Sequence, residues 1–430
     1  MLRSGDKLAS TNRGEVVVGD HLGTGGQGAV YKARRTDGGN DEVAVKWYLP
    51  ASQRPDMRKQ ITALVDEGAP SHRFLWPEDV VSRGDEFGYV MPLRPQAYAG
   101  IPKLLRRKVS VKFPELVRAA GEVVAGFMAL HQRGFYYCDI SDGNLFFDPK
   151  TGDVLICDND NVATSSNTPS VLGTPRFMAP EIVVGQKRPD AQTDMFSMAV
   201  LLFMLLVNEH PLVGSKELDI HCFDAAAMDQ LYGKDPVFIF DPQDRSNRPD
   251  PTIHQNAMVF WPLYPESLRQ VFTQAFTEGL RDRGRRPTFG EWLSTFAAVE
   301  DAMLTCTCGR TNFFLAQPEL RCWGSDCGKV VTPPTRLLLD GGKRVVMLGR
   351  NAKLYERHLA KRDKGERGGV QAEVAKHPDK PIWGLKNRGT TRWHIENGDG
   401  QAHIVDPGRS VTLRPGLIIR FGEVSGVVEM

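Results

Sequence analysis

The sequence predicts an α+β protein in which a strand-rich segment, a helix-rich segment, a small cysteine-rich module and a second strand-rich segment follow one another. Residues 14–95 contain short β-branched runs broken by glycine and aspartate, and residues from about 113 to 300 repeat apolar positions three and four apart. Four of the seven cysteines fall between residues 306 and 327, and strand-like runs return after them. We therefore expect domain boundaries that give the ranges 14–95, 96–300, 301–332 and 333–430.

Composition and charge favour no particular class of partner. The chain has 430 residues, and its 41% hydrophobic and 25% charged residues are ordinary for a folded protein. Its 54 basic and 52 acidic residues nearly balance, so the overall charge gives no reason to expect nucleic acid as a partner. No segment reaches the ~20 apolar residues of a membrane helix, and the stretch MLRSGDKLAS lacks the apolar core of a signal peptide. We expect a cytoplasmic protein without membrane contact.

The first strand-rich segment contains glycines spaced for a loop that covers phosphates. Gly23, Gly25 and Gly28, followed by Val30, would let a strand–turn–strand unit direct backbone N–H groups at anionic oxygens. A flexible glycine hairpin is one alternative. A dinucleotide fingerprint is another, but it needs a helix directly afterwards, where AVYKARR is typical of a strand. Lys46 ends the next apolar strand; alone it would be a surface lysine, but behind this loop it suits the α- and β-phosphates.

Carboxylates and an amide suited to phosphoryl transfer follow the first long helical run. Asp139 and Asn144 lie on one predicted loop, where one side chain can deprotonate an attacking hydroxyl and the other can hold a magnesium ion. Asp158 ends the apolar strand VLIC, a place suited to chelating the metal that bridges the β- and γ-phosphates. Taken alone, the loop could equally be an Asx-rich turn without a chemical role.

Together with GTPRFMAPE at residues 173–181, these motifs resemble those of eukaryotic-type protein kinases, in the order found in that family. The resemblance implies a two-lobed protein kinase fold, with residues 14–95 as the N-lobe and residues 96–300 as the C-lobe. It implies an enzyme that uses ATP and Mg²⁺. It also implies serine/threonine specificity, because Thr174 stands where serine/threonine kinases support the substrate hydroxyl. Asp194 resembles the aspartate that opens the buried helix under the catalytic loop. The implied catalytic residues are Lys46, Asp139, Asn144 and Asp158, with Mg²⁺ held by Asn144 and Asp158, and the implied nucleotide-binding residues are Gly23, Gly25, Gly28, Val30, Ala44, Lys46, Met91 and Leu93.

Several positions depart from the kinase pattern. Tyr137 and Cys138 replace the usual His-Arg before the catalytic aspartate, which predicts a non-RD kinase whose site is ordered without phosphorylation of the activation segment. Ser141 replaces a lysine that helps to neutralise the γ-phosphate, so we expect slower turnover or a substitute cation. Asn159 replaces the phenylalanine that switches active and inactive states, and Asp160 is expected either to add a metal ligand or to face solvent.

The helix residue that should pair with Lys46 is also altered. The segment RKQITAL places Gln60 at that position, with Glu67 as the alternative. These departures leave an ATP-binding pseudokinase scaffold as a rival, although a scaffold has no physical need for all four retained catalytic residues. A kinase for small molecules is a second rival, which would have little use for GTPRFMAPE. Candidate autophosphorylation sites, or simply a polar loop, are Ser165, Ser166, Thr168 and Ser170.

The cysteine-rich module is predicted to hold a structural zinc ion. Two pairs, Cys306 with Cys308 and Cys322 with Cys327, are separated by 13 residues, and four thiolates complete a tetrahedral site. A glycine directly after each pair suits tight turns that direct N–H groups at sulfur. The alternative is a chance group of reduced cysteines.

The last strand-rich segment is predicted to be a β-sandwich. Its residues 348–350 (LGR) and 411–422 resemble the opening and closing strands of a forkhead-associated domain, which implies phosphopeptide binding through Arg350. The Ser-x-x-His of that family is missing, and residues 355–358 (YERH) are the nearest feature, so a docking or packing module is the alternative.

The order of kinase, zinc ribbon and forkhead-like tail resembles the bacterial kinases of the tellurium-resistance-associated triad. The segments FLWP at residues 74–77 and KLYERHL at residues 353–359 support this resemblance. It implies a role in bacterial signalling, with a metal-dependent phosphatase and a von Willebrand A-domain protein as partners.

Overall fold

The computed structural model describes residues 1–37, 41–164, 171–315, 319–350, 352–360, 367–380, 382–396 and 402–430. The candidate autophosphorylation sites Ser165, Ser166, Thr168 and Ser170 lie outside these ranges. Backbone contacts divide the chain into one unit of residues 1–110, 126–201 and 223–236 and another of residues 111–125, 202–222 and 237–430. Within the described ranges, no helix combines the length and the apolar composition needed to cross a bilayer.

A closed β-barrel with one long helix forms the start of the first unit. Its strands follow the order β1-β2-β3-β4-β6-β5. The alternation in β3 turns Ala29, Tyr31 and Ala33 into the barrel core, as the period of two in a strand requires. The first strand lies before the predicted start at residue 14 and pairs with β2 and β5. The elements are β1 (Lys7–Ser10), β2 (Glu15–Thr24), β3 (Gly28–Arg35), β4 (Glu42–Tyr48), α1 (Pro55–Glu67), β5 (Asp79–Arg83) and β6 (Glu86–Pro92).

Helix α1 forms where the sequence predicts a helix near residues 58–67. It begins with Pro55, whose fixed φ suits the first helical position, and it buries Met57, Ile61 and Leu64 on one face. It ends at Gly68, which has a φ of 69°, a backbone conformation that glycine adopts without strain.

Short strands and two long helices carry the catalytic loop predicted from the sequence. The strands β9 and β10 form a hairpin between Asn144 and Asp158. The second long helix, AQTDMFSMAVLLFMLLV, is apolar on nearly every face and is correspondingly buried. The elements are β7 (Ala99–Gly100), α2 (Ile101–Leu105), α3 (Phe113–Gln132), β8 (Phe135–Tyr136), β9 (Leu145–Phe147), β10 (Val154–Ile156), β11 (Ala163–Thr164), α4 (Pro180–Val183) and α5 (Ala191–Val207).

Further helices follow. The last of them begins with a capping box, in which Thr288 and Glu291 make both of the hydrogen bonds that stabilise a helix N-terminus. Its C-terminal residues, Glu300 and Asp301, contact Arg357. The helices are α6 (Ser215–Leu218), α7 (Ala225–Met228), a π-helical turn (Asp229–Lys234), α8 (Gln255–Phe260), α9 (Glu266–Phe276), α10 (Glu278–Arg281) and α11 (Phe289–Asp301).

The cysteine-rich module consists of a hairpin and two cysteine turns. Strand β12 (Met303–Thr305) pairs with β13 (Thr311–Phe313), and an isolated bridge joins Arg321 to Val330. Cys306 and Cys322 are buried with Leu304 and Val331 in a small apolar cluster of their own.

The C-terminal segment is β-rich, as predicted, and its two antiparallel sheets share one hydrophobic cluster. The sheet orders are β15-β14-β23-β22-β19-β20 and β16-β17-β18-β21. Leu337, Leu385, Trp393 and Ile419 are among the fully buried residues of this cluster. The elements are β14 (Arg336–Leu339), β15 (Arg344–Met347), β16 (Lys353–Tyr355), α12 (Glu356–Leu359), β17 (Val370–Lys376), β18 (Trp383–Asn387), β19 (Trp393–Glu396), β20 (Ala402–Val405), β21 (Ser410–Thr412), β22 (Ile418–Arg420) and β23 (Ser425–Glu429).

Candidate active site

Lys46 lies on β4 and is held by two carboxylates. Its Nζ atom is 2.5 Å from Oδ1 of Asp158 and 2.8 Å from both carboxylate oxygens of Asp160. The Lys46 side chain is 5% exposed, that of Asp160 is fully buried and that of Asp158 is 38% exposed. Burial by itself lowers the pKa of Lys46, but the charges of Asp160 and Asp158 outweigh it and hold that pKa above its ordinary value. Lys46 is therefore a cation at neutral pH.

The prediction that Gln60 or Glu67 pairs with Lys46 is wrong. The Gln60 amide donates to the backbone carbonyls of Asp160, at 2.9 Å, and Val162, at 3.2 Å. The backbone carbonyl of Glu67 accepts from Arg133 at 3.1 Å. Asp160 takes the place of both as the buried partner of Lys46.

Asp160 does not face solvent, which corrects one of the two expectations for it. Its carboxylate accepts hydrogen bonds from the Tyr48 hydroxyl at 2.6 Å and from the Tyr89 hydroxyl at 3.5 Å. Burial and the charge of Asp160 raise the pKa of Tyr48 well above its ordinary value, so its hydroxyl remains a donor. Sequence reasoning missed this role, although one signal was present. The chain lacks an acidic residue at the helix position and carries an extra one two residues after Asp158.

Asn159 is buried and tethered where the kinase pattern has phenylalanine. Its amide donates to the backbone carbonyls of Leu75 at 2.9 Å and of Ile156 at 3.1 Å. Leu75 belongs to the FLWP segment, and its own N–H donates to the Ile156 carbonyl at 2.9 Å. The Trp76 indole donates to the Leu64 carbonyl of α1 at 2.7 Å. Residues 158–160, here called the DND segment, are thus held by polar contacts in place of an apolar plug.

Asp139, Asn144 and Thr174 form a second cluster. The Thr174 hydroxyl donates to Asp139 Oδ1 at 2.7 Å, and the Asn144 amide nitrogen donates to the Asp139 carbonyl oxygen at 3.0 Å. Burial raises the pKa of Asp139 and the charge of Asp158 adds to it, while the hydrogen bonds from Thr174 and Asn144 oppose the rise. A carboxylate in this setting is suited to accept a proton from a hydroxyl.

Asn144 and Asp158 flank the same end of the hairpin that β9 and β10 form between them. The Asn144 carbonyl accepts from the N–H of Cys157, the residue before Asp158, at 3.0 Å. Asp158 has a φ of 61°, a left-handed conformation that aspartate tolerates better than most residues. A carboxylate and an amide oxygen are ligands that Mg²⁺ prefers, so this pair fits the metal that the sequence pattern implies.

Asp194 anchors the loop before Asp139. Its carboxylate accepts from the backbone N–H groups of Tyr137 at 2.6 Å and Cys138 at 3.0 Å, and it contacts His131 Nε2 at 2.9 Å. Tyr137 is buried, and its hydroxyl donates to the Cys157 carbonyl. Cys138 is buried as well, and burial together with the nearby carboxylates raises the pKa of its thiol. Cys138 is therefore a neutral thiol where the kinase pattern has the charged arginine.

The predicted nucleotide-binding residues lie on neighbouring barrel strands. Ala44 pairs with Met91 across β4 and β6, and Val30 pairs with Lys46 across β3 and β4. Leu93 is half-buried just beyond β6. Of the three predicted loop glycines, Gly28 has a steric reason to lack a side chain, because a Cβ atom there would lie 2.6 Å from the Trp47 carbonyl. No comparable contact exists at Gly23 or Gly25.

The four cysteines converge as the sequence predicts for a metal centre. Their Sγ atoms all lie within 4.8 Å of one another. The Cys306–Cys327 and Cys308–Cys322 sulfurs are 3.8 Å and 3.7 Å apart. Zinc–sulfur bonds of about 2.3 Å in a tetrahedron require sulfurs about 3.8 Å apart, so the geometry fits zinc.

The cysteine thiols of this cluster differ in pKa. The backbone N–H of Arg310 is the main cause that lowers the pKa of Cys308 to about 6. The N–H of Lys329 acts likewise on Cys327, but desolvation and the neighbouring thiols outweigh it and raise that pKa to about 11. Four thiols this close cannot all lose their protons unless a cation balances them.

Two residues of the C-terminal YERH segment, Arg357 and His358, form a buried contact with helix α11. Arg357 is 5% exposed and His358 is 1% exposed. Arg357 donates to Asp301 at 2.6 Å and 3.1 Å, and His358 Nε2 is 2.9 Å from the same carboxylate. Arg367 joins Glu300 at 2.5 Å. These residues attach the C-terminal sheets to the end of α11, which supports the packing alternative for this segment, whereas Arg350 is exposed.

Comparison with known proteins identifies one family. Residues 16–283 match the family model described as "Protein kinase domain". Protein kinase YegI of Escherichia coli strain K12 is 25% identical over 323 residues, which cover 69% of this chain and 46% of YegI. Protein kinase C-like 1 of Candida albicans is 37% identical over 116 residues, 26% of this chain and 10% of that protein. CBL-interacting protein kinase 30 of Oryza sativa subsp. japonica is 28% identical over 210 residues, 46% of this chain and 43% of that protein. The chain spans less than half of the length of each of these relatives.

Proposed function

This chain belongs to the protein kinase family, because the matched residues 16–283 are more than half of it, and on that premise we propose that it transfers the γ-phosphoryl group of ATP to serine or threonine hydroxyls of a protein substrate. The observation that carries this proposal is the cluster of Asp139, Asn144 and Thr174 beside the Lys46–Asp158 pair. Thr174 favours serine and threonine as acceptors, because its hydroxyl lies beside the carboxylate that would accept the substrate proton.

Each retained residue has one task in this proposal. Asp139 orients the substrate hydroxyl and accepts its proton, since its raised pKa makes it a better base than an ordinary aspartate. Lys46 contacts the α- and β-phosphates under the glycine loop, where Gly28 allows the close approach of β3 and β4. Asn144 and Asp158 hold Mg²⁺, which neutralises phosphate charge when it is bound.

The proposed enzyme is of the non-RD type. The loop before Asp139 is held by the Asp194 carboxylate and by the Tyr137 hydroxyl. Neither contact uses a phosphate, so phosphorylation of the activation segment is not needed to order the loop. An unphosphorylated preparation without turnover, restored only when that segment is phosphorylated, would contradict this part of the proposal.

The modules around the catalytic residues belong to the proposal as well. We assign residues 14–95 and 96–300 to the two lobes of a kinase fold, residues 301–332 to a zinc ribbon and residues 333–430 to a forkhead-associated-like domain. The sulfur distances support structural zinc. The resemblance to the tellurium-resistance-associated triad supports bacterial signalling beside a metal-dependent phosphatase and a von Willebrand A-domain protein.

The test is phosphoryl transfer from γ-labelled ATP with Mg²⁺, using the full chain and a generic Ser/Thr protein as acceptors. Label on serine or threonine that falls at least about a hundredfold in Asp139→Asn would support the kinase, because that is the usual scale for a general base. ATP binding without any label would refute transfer and favour the pseudokinase scaffold. Asp79→Asn, which alters a buried carboxylate of the barrel, serves as the matched control for damage to the fold.

A further inference from the structure

Resting on the proposed function, we propose that Asp160 is a positioning residue that anchors Lys46 and so leaves Asp158 available for the divalent cation. The sequence pattern assigns the anchoring task to a side chain of helix α1. In this chain the anchor comes from the DND segment, two residues after the proposed metal ligand.

Asp160 is held in place independently of Lys46. The Tyr48 hydroxyl, on the same strand as Lys46, donates to its carboxylate at 2.6 Å. The backbone carbonyl of Asp160 accepts a hydrogen bond from Gln60 at 2.9 Å. The preceding residue, Asn159, donates hydrogen bonds to the carbonyls of Leu75 and Ile156. A carboxylate fixed at so many points offers Lys46 one geometry, which is the condition for a buried ion pair to be useful.

The two carboxylates around Lys46 differ in exposure. Asp160 is fully buried, whereas Asp158 is 38% exposed. An ammonium group buried as deeply as that of Lys46 needs at least one fixed counter-charge, because a buried unpaired charge is strongly unfavourable. While Asp160 supplies that counter-charge, Asp158 can exchange Lys46 for a cation.

Removing the Asp160 charge should therefore act on metal binding. With asparagine at position 160, Asp158 is the remaining carboxylate within reach of the Lys46 ammonium among the described residues. A cation at Asp158 would then have to displace Lys46 from its remaining carboxylate, so cation binding and the Lys46–Asp158 contact compete. Such coupling lowers the apparent affinity of the site for Mg²⁺ by a factor that can be measured.

A second consequence concerns regulation. In the kinase pattern the partner of the lysine lies on a helix, and movement of that helix can break the pair. Here the Gln60 amide of α1 donates to the backbone carbonyls of Asp160 and Val162. Movement of α1 would thus remove hydrogen bonds to the backbone near Asp160, but it would take no side chain away from Lys46 itself.

The experiment measures nucleotide binding by the full chain with ADP, adenosine and MgCl₂ as the probes. Calorimetric titrations of ADP at graded Mg²⁺ give the Mg²⁺ concentration at which half of the gain in ADP affinity is reached. For Asp160→Asn we expect that concentration to rise at least about tenfold, with adenosine affinity within about twofold of wild type. Tyr48→Phe keeps both charges but loosens Asp160, and we expect a smaller rise in the same direction.

Two controls separate this role from a merely structural one. Asp79→Asn removes a buried carboxylate of the same barrel that binds Ser10 and Asn12, and it should leave the Mg²⁺ requirement unchanged. In a Lys46→Met background, Asp160→Asn should no longer alter the Mg²⁺ requirement, because no ammonium competes for Asp158.

Each outcome bears on the inference. An unchanged Mg²⁺ requirement in Asp160→Asn, a parallel loss of adenosine affinity, or an equal shift in the Lys46→Met background would overturn it. Mg²⁺-dependent ADP binding without phosphoryl transfer by wild type would overturn the proposed function alone, and the inference would still be decided by the variants. A wild type whose ADP affinity does not respond to Mg²⁺ would overturn both.

Discussion

Replacing Asp301 with asparagine tests how the C-terminal domain is attached to helix α11. The Asp301 carboxylate accepts two hydrogen bonds from Arg357, at 2.6 Å and 3.1 Å, and one from His358 at 2.9 Å. Asparagine has the same shape, but it carries no charge, and its NH₂ group places a donor where one of the two carboxylate oxygens accepted a hydrogen bond. The variant therefore changes the charge and hydrogen bonding of the contact while its size stays constant.

The magnitude follows from the burial of the three side chains. Removing one member of a buried, hydrogen-bonded ion pair typically costs about 3–5 kcal/mol. Glu300, at 3.2 Å from Arg357, retains part of the interaction, so we expect about 3 kcal/mol for Asp301→Asn. Since each 1.4 kcal/mol is tenfold in an equilibrium constant, opening of this contact should become roughly a hundredfold more frequent.

Hydrogen exchange followed by mass spectrometry measures this opening in the full chain. Faster exchange is expected in α12 and in strands β16 and β17, with no change in the barrel strands β3 and β4. Glu396→Gln, which breaks an exposed pair with Arg420 on the C-terminal domain, is the matched control and should change little. Equal exchange rates of α12 in Asp301→Asn and Glu396→Gln would show that Asp301 does not hold the C-terminal domain on α11.

The pH dependence has a definite sign. Burial raises the pKa of Asp301, but the hydrogen bond and charge of His358 and the charge of Arg357 outweigh it, so that pKa lies below its ordinary value. The stabilisation is present above the unfolded-state pKa of about 3.9 and is lost as the pH falls through the folded-state pKa. The difference between wild type and Asp301→Asn should therefore persist at neutral pH and narrow only below about pH 4.

Three further predictions concern the other sites. Purified protein should contain one zinc ion per chain by elemental analysis. A strong chelator should abolish the protection of β12 and β13 from hydrogen exchange, because a structural zinc ion contributes folding free energy. Protection that survives metal removal would contradict structural zinc. Thr174→Ala should move the acidic limb of the rate–pH profile to higher pH. Burial raises the pKa of Asp139, and the variant removes a Thr174 hydrogen bond that lowers it. Thr174→Ser keeps that hydroxyl and should leave the limb in place, so coincident profiles for the two variants would contradict this prediction. Gly28→Ala should weaken ADP binding, because its Cβ atom would lie 2.6 Å from the Trp47 carbonyl and relieving such crowding costs about 1–3 kcal/mol. The control Gly26→Ala, whose Cβ atom would have no neighbouring atom within 4 Å, should bind ADP normally. Equal ADP affinities of the two variants would count against a steric role for Gly28.

The features that the sequence predicts best are local ones. The α1 helix, the strand after the glycine loop and the convergence of the four cysteines each depend on spacing within a short stretch of chain. Backbone geometry alone limits what such stretches can do: a strand turns alternate residues inward, and glycine turns bring cysteine pairs together. The resemblance to protein kinases came from several such local motifs in a set order.

Long-range partners were predicted less well. The sequence predicts Gln60, or Glu67 as the alternative, beside Lys46, but Asp160, at a separation of 114 residues, takes that position. The contact depends on how the DND segment packs against β4, and Tyr48 and Tyr89 make that place polar enough for a carboxylate. Sequence spacing contains no information on such packing.

The kinase motifs, the order of the segments and the cysteine spacing could be predicted from the sequence, because each depends on residues close together along the chain. The contacts of Asp160 with Lys46, of Asn159 with Leu75, and of Arg357 and His358 with α11 became visible in the folded protein. One cause accounts for all three. A buried polar group must find its partner in whatever element packs against it, and that element is set by the fold of the whole unit.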